Sequence, residues 1–231
     1  AEHTGASIGE FGEGGNAVGA QLVGALPGEG GLDAGAMLSQ PMKALLLLGV
    51  EPTLDAANAA AAANALAGGG LVVAMTAFQD AAADVADVML PVAPFTETAG
   101  SFVNAEGRVQ SFHGVVKPLG ETRPGWKVLR VLGNLLGLPG FEQESAEDVR
   151  AEALGDVSTL AQRLDNAPAA AAGAAAAAAG GSLERVADVP IYATDSLVRR
   201  APALQRTADA RAPMAGLSSA LWQRMGLQPG D

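Results

Sequence analysis

The stretch 87–126, DVMLPVAPFTETAGSFVNAEGRVQSFHGVVKPLGETRPGW, decides how this chain is read. It is a long segment free of alanine runs, and it holds Phe95, Phe102, Phe112 and Trp126, four of the nine aromatic residues among 231. Large rings sit where packing is specific. Val88, Met89 and Leu90 read as a short apolar strand stopped by Pro91. The segments on either side of Glu106 and Gly107 read as the two arms of a hairpin, with Gly107 supplying the positive φ that its turn needs.

Upstream, strands and helices alternate. Residues 43–50 (KALLLLGV) form a continuous apolar run with a charged start, which predicts a strand buried on both faces of a parallel sheet. After Glu51 and Pro52, Asp55 is placed to cap an alanine-rich helix running to Ala67, ended by Gly68, Gly69 and Gly70. Residues 71–75 predict the next strand, 80–86 a short helix and 88–90 the third strand. Such alternation implies right-handed crossovers in an open sheet. The fold class is therefore α/β: an open, mostly parallel sheet with flanking helices, plus a β-hairpin. In such sheets ligands sit beyond the carboxyl ends of the strands, here 49–52, 76–78 and 91–98.

Downstream, Pro124 suits the first turn of a helix over 125–136. Val128, Val131, Leu132, Leu135 and Leu136 fall on one stripe, whose burial would contribute roughly 8–15 kcal/mol before conformational entropy is subtracted. Gly137, Pro139 and Gly140 stop that helix. Ser145 with Asp148 makes a capping box for a helix to Leu154, and Val157, Leu160 and Leu164 give another short amphipathic stretch. Residues 166–182 are nearly all alanine and glycine and read as a linker. Residues 190–197 suggest one strand and turn. Arg199, Arg200, Arg206, Arg211 and Arg224 then form a basic patch, read as a docking surface or solvated face. The domain reading is 1–165 with its core at 37–141, the linker at 166–182, and a C-terminal segment at 183–231.

Two motifs near the start fail on context. Gly5, Ser7 and Gly9 match the G-x-S-x-G nucleophile elbow, but only four residues precede them and no strand delivers the serine. Gly12, Gly14 and Ala17 fit a dinucleotide fingerprint, again without a strand, and Glu13 inside the loop would repel a pyrophosphate. The plain reading is a loop capped by Asn16 that starts a helix over 17–26.

Composition narrows the function further. A net charge of −11 and a pI near 4.6 argue against a nucleic-acid partner, which needs a basic face. With no cysteine, the chain holds no disulfide, thiolate zinc site or cysteine-ligated iron-sulfur cluster. His3 and His113 are isolated, so no metal site is expected. No run of about 18 strongly apolar residues is present, so no direct membrane insertion is expected. Glu97 and Glu106 have nothing to make them a catalytic pair; a salt bridge from one of them to Arg108 is the better reading, and no catalytic residue is assigned.

The segments ADVMLP, APFTETAGSFVNAEGRVQSF and KPLGETRPGWKVLRVLGNLLGLPGF closely resemble the large iron-sulfur subunit of bacterial NADH:quinone oxidoreductase, respiratory complex I. The resemblance covers 41–141. That subunit carries a domain of the molybdopterin oxidoreductase superfamily, across which a looser pattern of Glu, Gly, Phe, Asn, Glu-Gly-Arg and Gln is shared. The resemblance implies that Thr96, Glu97, Gly100, Asn104, Glu106, Gly107, Arg108 and Gln110 line at most a vestigial pterin-side pocket, without molybdenum cofactor. It further implies a C-terminal-half fragment, iron-sulfur clusters in an N-terminal part of the subunit and a C-terminal β-barrel, neither within this sequence. The expected partners are other peripheral-arm subunits, on the cytoplasmic side of the bacterial inner membrane. The alternative is a fragment of a molybdopterin-dependent oxidoreductase resembling formate dehydrogenase. A free-standing interaction module, the third reading, would need a complete barrel.

Overall fold

The computed structural model describes residues 4–6, 12, 14–164, 183, 189–210 and 214–228. The chain divides into two compact units, Ala1–Glu184 and Arg185–Asp231. The linker expected at 166–182 lies outside the described residues.

The first unit is built on a parallel sheet of β1 (Ala44–Leu48), β2 (Leu71–Thr76) and β3 (Val88–Pro91), in that order. Ala44 aligns with Leu71 and Val73 with Val88. Helices α1 (Ala17–Leu22) and α2 (Ala34–Ser39) precede the sheet; α3 (Pro52–Asp55) and α4 (Ala59–Leu66) connect β1 to β2. The crossover places Leu66 against Leu45, Leu47 and Val72, with Met42 and Ala86 at the margin. Asp87 secures the sheet edge-on: its carboxylate accepts from the Val72 amide at 2.8 Å. The α/β class is thus realised.

Burial of β1 on both faces is not. Its side chains alternate, with Leu45 and Leu47 buried while Leu46 and Leu48 remain 47% and 46% exposed. Four consecutive leucines cannot register which face is covered; α4 packs on one side and leaves the other open. The helix expected from Asp55 to Ala67 is also interrupted. Asn58, not Asp55, caps α4 by accepting from the Ala61 amide at 3.0 Å, whereas Asp55 turns back to the Glu51 amide at 2.6 Å. The segment expected as a helix over 80–86 holds a 3-10 turn at Gln79–Ala81 instead.

The hairpin consists of β4 (Gly100–Val103) and β5 (Val109–Phe112), antiparallel with Val103 opposite Val109. Gly107 has φ +78°, as its turn requires. Phe102 and Phe112 pack edge to face at 5.7 Å, and the Phe112 ring lies so close over Gly100 that a Cβ there would sit 2.5 Å from it. Val103 belongs to a second core with Leu154 and Leu160, flanked by Val18, Leu22 and Val109. That core joins α1, the hairpin, the end of α6 (Ala146–Leu154) and the 3-10 stretch Val157–Arg163.

Asn16 is not the helix cap that its position suggested. Its side chain makes no capping bond to α1. Instead its Oδ1 accepts from the Val103 amide at 2.8 Å and its Nδ2 donates to the Ser101 carbonyl at 3.5 Å. Gly19 leaves room for this, since a Cβ there would meet Asn16 Oδ1 at 2.2 Å. Helix α1 ends at Leu22, four residues short of the expected boundary, and Gly24 follows at φ +70°. Arg163 braces the same region by donating to the Leu22 carbonyl at 2.8 Å and the Leu154 carbonyl at 3.0 Å.

Helix α5 (Gly125–Leu135) follows Pro124 as expected, yet most of its apolar stripe is not buried. Val131, Leu135 and Leu136 are exposed, Leu135 by 80%, and Val128 and Leu132 are half-buried. Its one fully buried position is Gly133, on which the Phe141 ring rests. The capping box of α6 is present: Ser145 Oγ accepts from the Asp148 amide at 3.0 Å, and Asp148 Oδ2 accepts from the Ser145 amide at 2.9 Å.

In the second unit, the strand expected within 190–197 is replaced by a 3-10 turn at Ile191–Ala193 and the short helix α7 (Ser196–Arg199). Helix α8 (Ser219–Met225) is capped by Ser218. Three arginines of the basic patch donate to backbone carbonyls. Arg199 donates to Ala193 at 2.9 Å, Arg200 to Ser196 at 3.0 Å and Arg206 to Pro202 at 3.1 Å. They satisfy carbonyl groups that short helices leave unpaired. Arg211 lies outside the described residues.

Candidate functional site

The carboxyl ends of the three strands are where an α/β sheet of this kind receives a ligand. At the end of β1, Gly49 turns the chain at φ +63° into Glu51, which is 6% exposed. Asp55 follows one helical turn later and accepts the Glu51 amide. Beyond β2, Thr76 Oγ1 accepts from the Phe78 amide at 3.1 Å, and Asp80 lies in the next turn. Beyond β3, Val92 forms a parallel bridge to Arg123, and the Ala93 amide donates to the Arg123 carbonyl at 2.9 Å.

The end of β1 does not fit the phosphates of a pterin cofactor. A phosphate at a strand end needs free amides and a positive field. Here the Glu51 amide is already filled by the Asp55 carboxylate. Among the described residues no group of three His, Cys, Asp or Glu could hold a metal ion. At the end of β1 the backbone amide that an anion would use is thus occupied by the chain's own carboxylate.

The eight residues singled out around the hairpin do not converge on one point. Thr96 and Glu97 lie on a 3-10 turn, Phe95–Glu97, ahead of the hairpin. The Thr96 carbonyl accepts from the Val115 amide at 2.8 Å, and Glu97 Oε2 accepts from the Leu119 amide at 3.0 Å. Both hold the loop that leaves β5. Gly100 makes room for Phe112. Asn104 Oδ1 accepts from the amides of Glu106 at 3.0 Å and Arg108 at 2.9 Å, so this amide side chain ties the turn. Gly107 is buried against the backbone of Ala161, 2.9 Å from where a Cβ would stand. Arg108 pairs with Glu106 at 3.6 Å, both side chains more than 70% exposed. Gln110 is exposed, opposite Phe102. Glu97 and Glu106 thus serve different partners, and Arg108 is a surface residue rather than the organiser of the turn.

Of the eight, Glu97 alone reaches an open cleft of about 660 Å³ between the loop after β5 and the starts of α5 and α6. His113, Lys117, Arg123, Trp126 and Lys127 line it together with Glu144 and Glu147. The Lys127 ammonium lies 5.3 Å from the Trp126 ring, a cation–π distance. Arg123 is spent on the Thr122 carbonyl at 2.8 Å and on Glu121 at 3.9 Å. The α6 N-terminus in this cleft offers no anion site. The Ser145 side chain, then the Ser145 and Glu144 amides, hold the Asp148 carboxyl below its ordinary range, so an anion already sits on the helix start. The cleft can receive a polar surface of mixed charge; among the described residues it presents no nucleophile paired with a base. The sequence reading missed Lys117, Trp126 and Lys127 here, although the close spacing of two lysines, an arginine and a tryptophan over 117–127 was a usable signal.

The molybdopterin oxidoreductase family model matches residues 4–135 of the chain. A protein of Bacillus subtilis (strain 168) named "Probable oxidoreductase YjgC" is 40% identical over 76 residues, 33% of this chain and 8% of that protein. A Staphylococcus aureus protein (strain bovine RF122 / ET3-1) named "Putative formate dehydrogenase SAB2186c" is 46% identical over 55 residues, 24% of this chain and 6% of that protein. The matched portion is thus less than a tenth of the length of either relative. With more than half of its residues inside the matched region, and with the parallel sheet and hairpin in place, the chain belongs to the molybdopterin oxidoreductase family.

Proposed function

We propose that this chain is a structural part of an electron-transferring oxidoreductase, of the kind found in the large iron-sulfur subunit of NADH:quinone oxidoreductase. In that role it supports electron flow from NADH to quinone and holds no redox centre itself. The observation that carries this reading is the end of β1, where the Asp55 carboxylate accepts from the Glu51 amide at 2.6 Å and so occupies a strand-end amide. The match of 41–141 to that subunit's sequence pattern supports it. Its partners are then the neighbouring subunits of a peripheral arm on the cytoplasmic face of the membrane, with the clusters in other segments.

A second reading, a part of a molybdopterin-dependent enzyme, is favoured by the 46% identity over 55 residues to the Staphylococcus aureus protein. One experiment separates the two. The full protein containing this sequence is tagged, purified from its host and assayed for pterin, molybdenum, iron and dye reduction. An assembly that contains iron, lacks pterin and reduces ferricyanide with NADH is the expected result. Stoichiometric molybdenum with formate-dependent dye reduction would overturn the structural reading in favour of the second.

A further inference from the structure

A second, smaller cleft of about 270 Å³ lies between α5 and α6 and shares Trp126 with the first. Trp126, Leu129 and Phe141 give it apolar walls, and Arg130, Gln143 and Glu152 supply its polar groups. The Arg130 guanidinium is poorly used. Its Nη1 donates to the Gln143 carbonyl at 3.1 Å, but its Nε is buried without a partner and Nη2 makes no hydrogen bond among the described residues. Nε and Nη2 share one edge of the guanidinium, the edge that matches both oxygens of a carboxylate. A buried donor left unpaired carries a desolvation cost that an acceptor can relieve.

Glu152 lies in the same cleft and does not take that edge. Its Oε2 is held by the Gln143 side-chain amide, which also donates to the Gly140 carbonyl at 2.9 Å. Gln143 therefore stands between the two charges, bonding Arg130 through its carbonyl and Glu152 through its side chain. The buried Nε edge of the guanidinium thus keeps unused donors, in a cleft that Trp126 and Phe141 also line.

We propose that this cleft binds a carboxylate carried on a flat apolar body, with the Nε–Nη2 edge of Arg130 as its anchor and Trp126 and Phe141 as its walls. A free aromatic acid and the C-terminal residue of a polypeptide share this chemistry. Reaching Nε requires the lining side chains to part, so Trp126 reports the event directly. The proposal is independent of which functional reading above holds.

The test uses the full 231-residue chain carrying Trp222→Phe, which leaves Trp126 as its single tryptophan. Its fluorescence is titrated with benzoate and with N-acetylphenylalanine, each against its uncharged amide. A saturable change with a dissociation constant on the order of 1–10 mM is expected for an acid of this size. Benzoate saturation identifies a free acid as the ligand type; saturation by N-acetylphenylalanine alone identifies a chain end. Arg130→Lys keeps the charge, removes the fork and should weaken binding about tenfold or more. Glu152→Gln removes the competing negative charge and should tighten binding about two- to fivefold, a readout that survives should Arg130→Lys fail to fold. Equal binding of acid and amide, or no saturation by either acid, overturns the proposal.

Discussion

Replacing Asn16 distinguishes a bridge from a cap. Its Oδ1 accepts the Val103 amide at 2.8 Å across 87 residues of sequence, and Val103 is only 2% exposed. Asn16→Ala removes the acceptor and leaves a buried donor unpaired, a loss of about 1–3 kcal/mol. The second bond, at 3.5 Å, lies at the edge of hydrogen-bonding range and adds little. At about 2–4 °C per kcal/mol for a chain of this size, the thermal midpoint should fall by about 2–12 °C. The decisive variant is Asn16→Ser. Serine caps helices about as well as asparagine, so it would restore stability if Asn16 worked through α1. Serine is too short to reach β4, so the bridging role predicts that Asn16→Ser is nearly as damaged as Asn16→Ala. Hydrogen exchange at the Val103 amide should accelerate in both. Wild-type stability and wild-type Val103 protection in Asn16→Ser would refute the bridge.

The hairpin gives a paired comparison: Asn104→Ala loses two turn bonds and should cost about 1–2 kcal/mol, whereas Arg108→Ala, in an exposed pair, should cost under about 0.5 kcal/mol by urea unfolding. Gly107→Ala combines a φ of +78° with a Cβ 2.9 Å from the Ala161 backbone, so a loss above about 2 kcal/mol is expected; an unchanged urea midpoint would mean that Val157–Arg163 does not seat against the turn. Asp148 is held below its ordinary range by the Ser145 side chain and by the Ser145 and Glu144 amides, so its stabilisation is present above the unfolded-state value and is lost as pH falls through the folded one. Asp148→Asn should therefore flatten the decline in thermal midpoint between about pH 5 and about pH 3; a decline as steep as wild type would locate the acid sensitivity elsewhere.

Local rules explain what was legible in the sequence. The α6 capping box depends on two side chains three residues apart, Pro124 marks the start of α5, and Gly107 marks the turn; each acts within a few residues of itself. What the sequence concealed is the choice between competing partners, near or far along the chain. Asn58 and Asp55 are both good caps, and only the fold decides that Asp55 turns back to Glu51. Asn16 sits at a cap position, but the space left by Gly19 and the otherwise unpaired amide of Val103 draw its side chain to β4 instead. Periodicity reports which residues of α5 share a face, not whether another element covers that face.

The hairpin residues invite a binding reading for a related reason. Gly100, Asn104, Glu106, Gly107, Arg108 and Gln110 look like a binding motif because small, polar and charged residues cluster there, yet a tight hairpin selects many of the same types. Glycine supplies the positive φ, asparagine bonds its own turn, and charges at the tip stay solvated. Each of these demands is met here by a particular contact: φ +78° at Gly107, two amides on Asn104, and an exposed pair at the tip. Gly107, Asn104 and the charges at the tip are thus explained by the turn itself. The residues with capacity left over are elsewhere, and they are recognised by unsatisfied chemistry rather than by pattern. Arg130 spends one donor of its guanidinium and buries another without a partner beside an apolar cleft, in a helix whose sequence announced only leucines and valines.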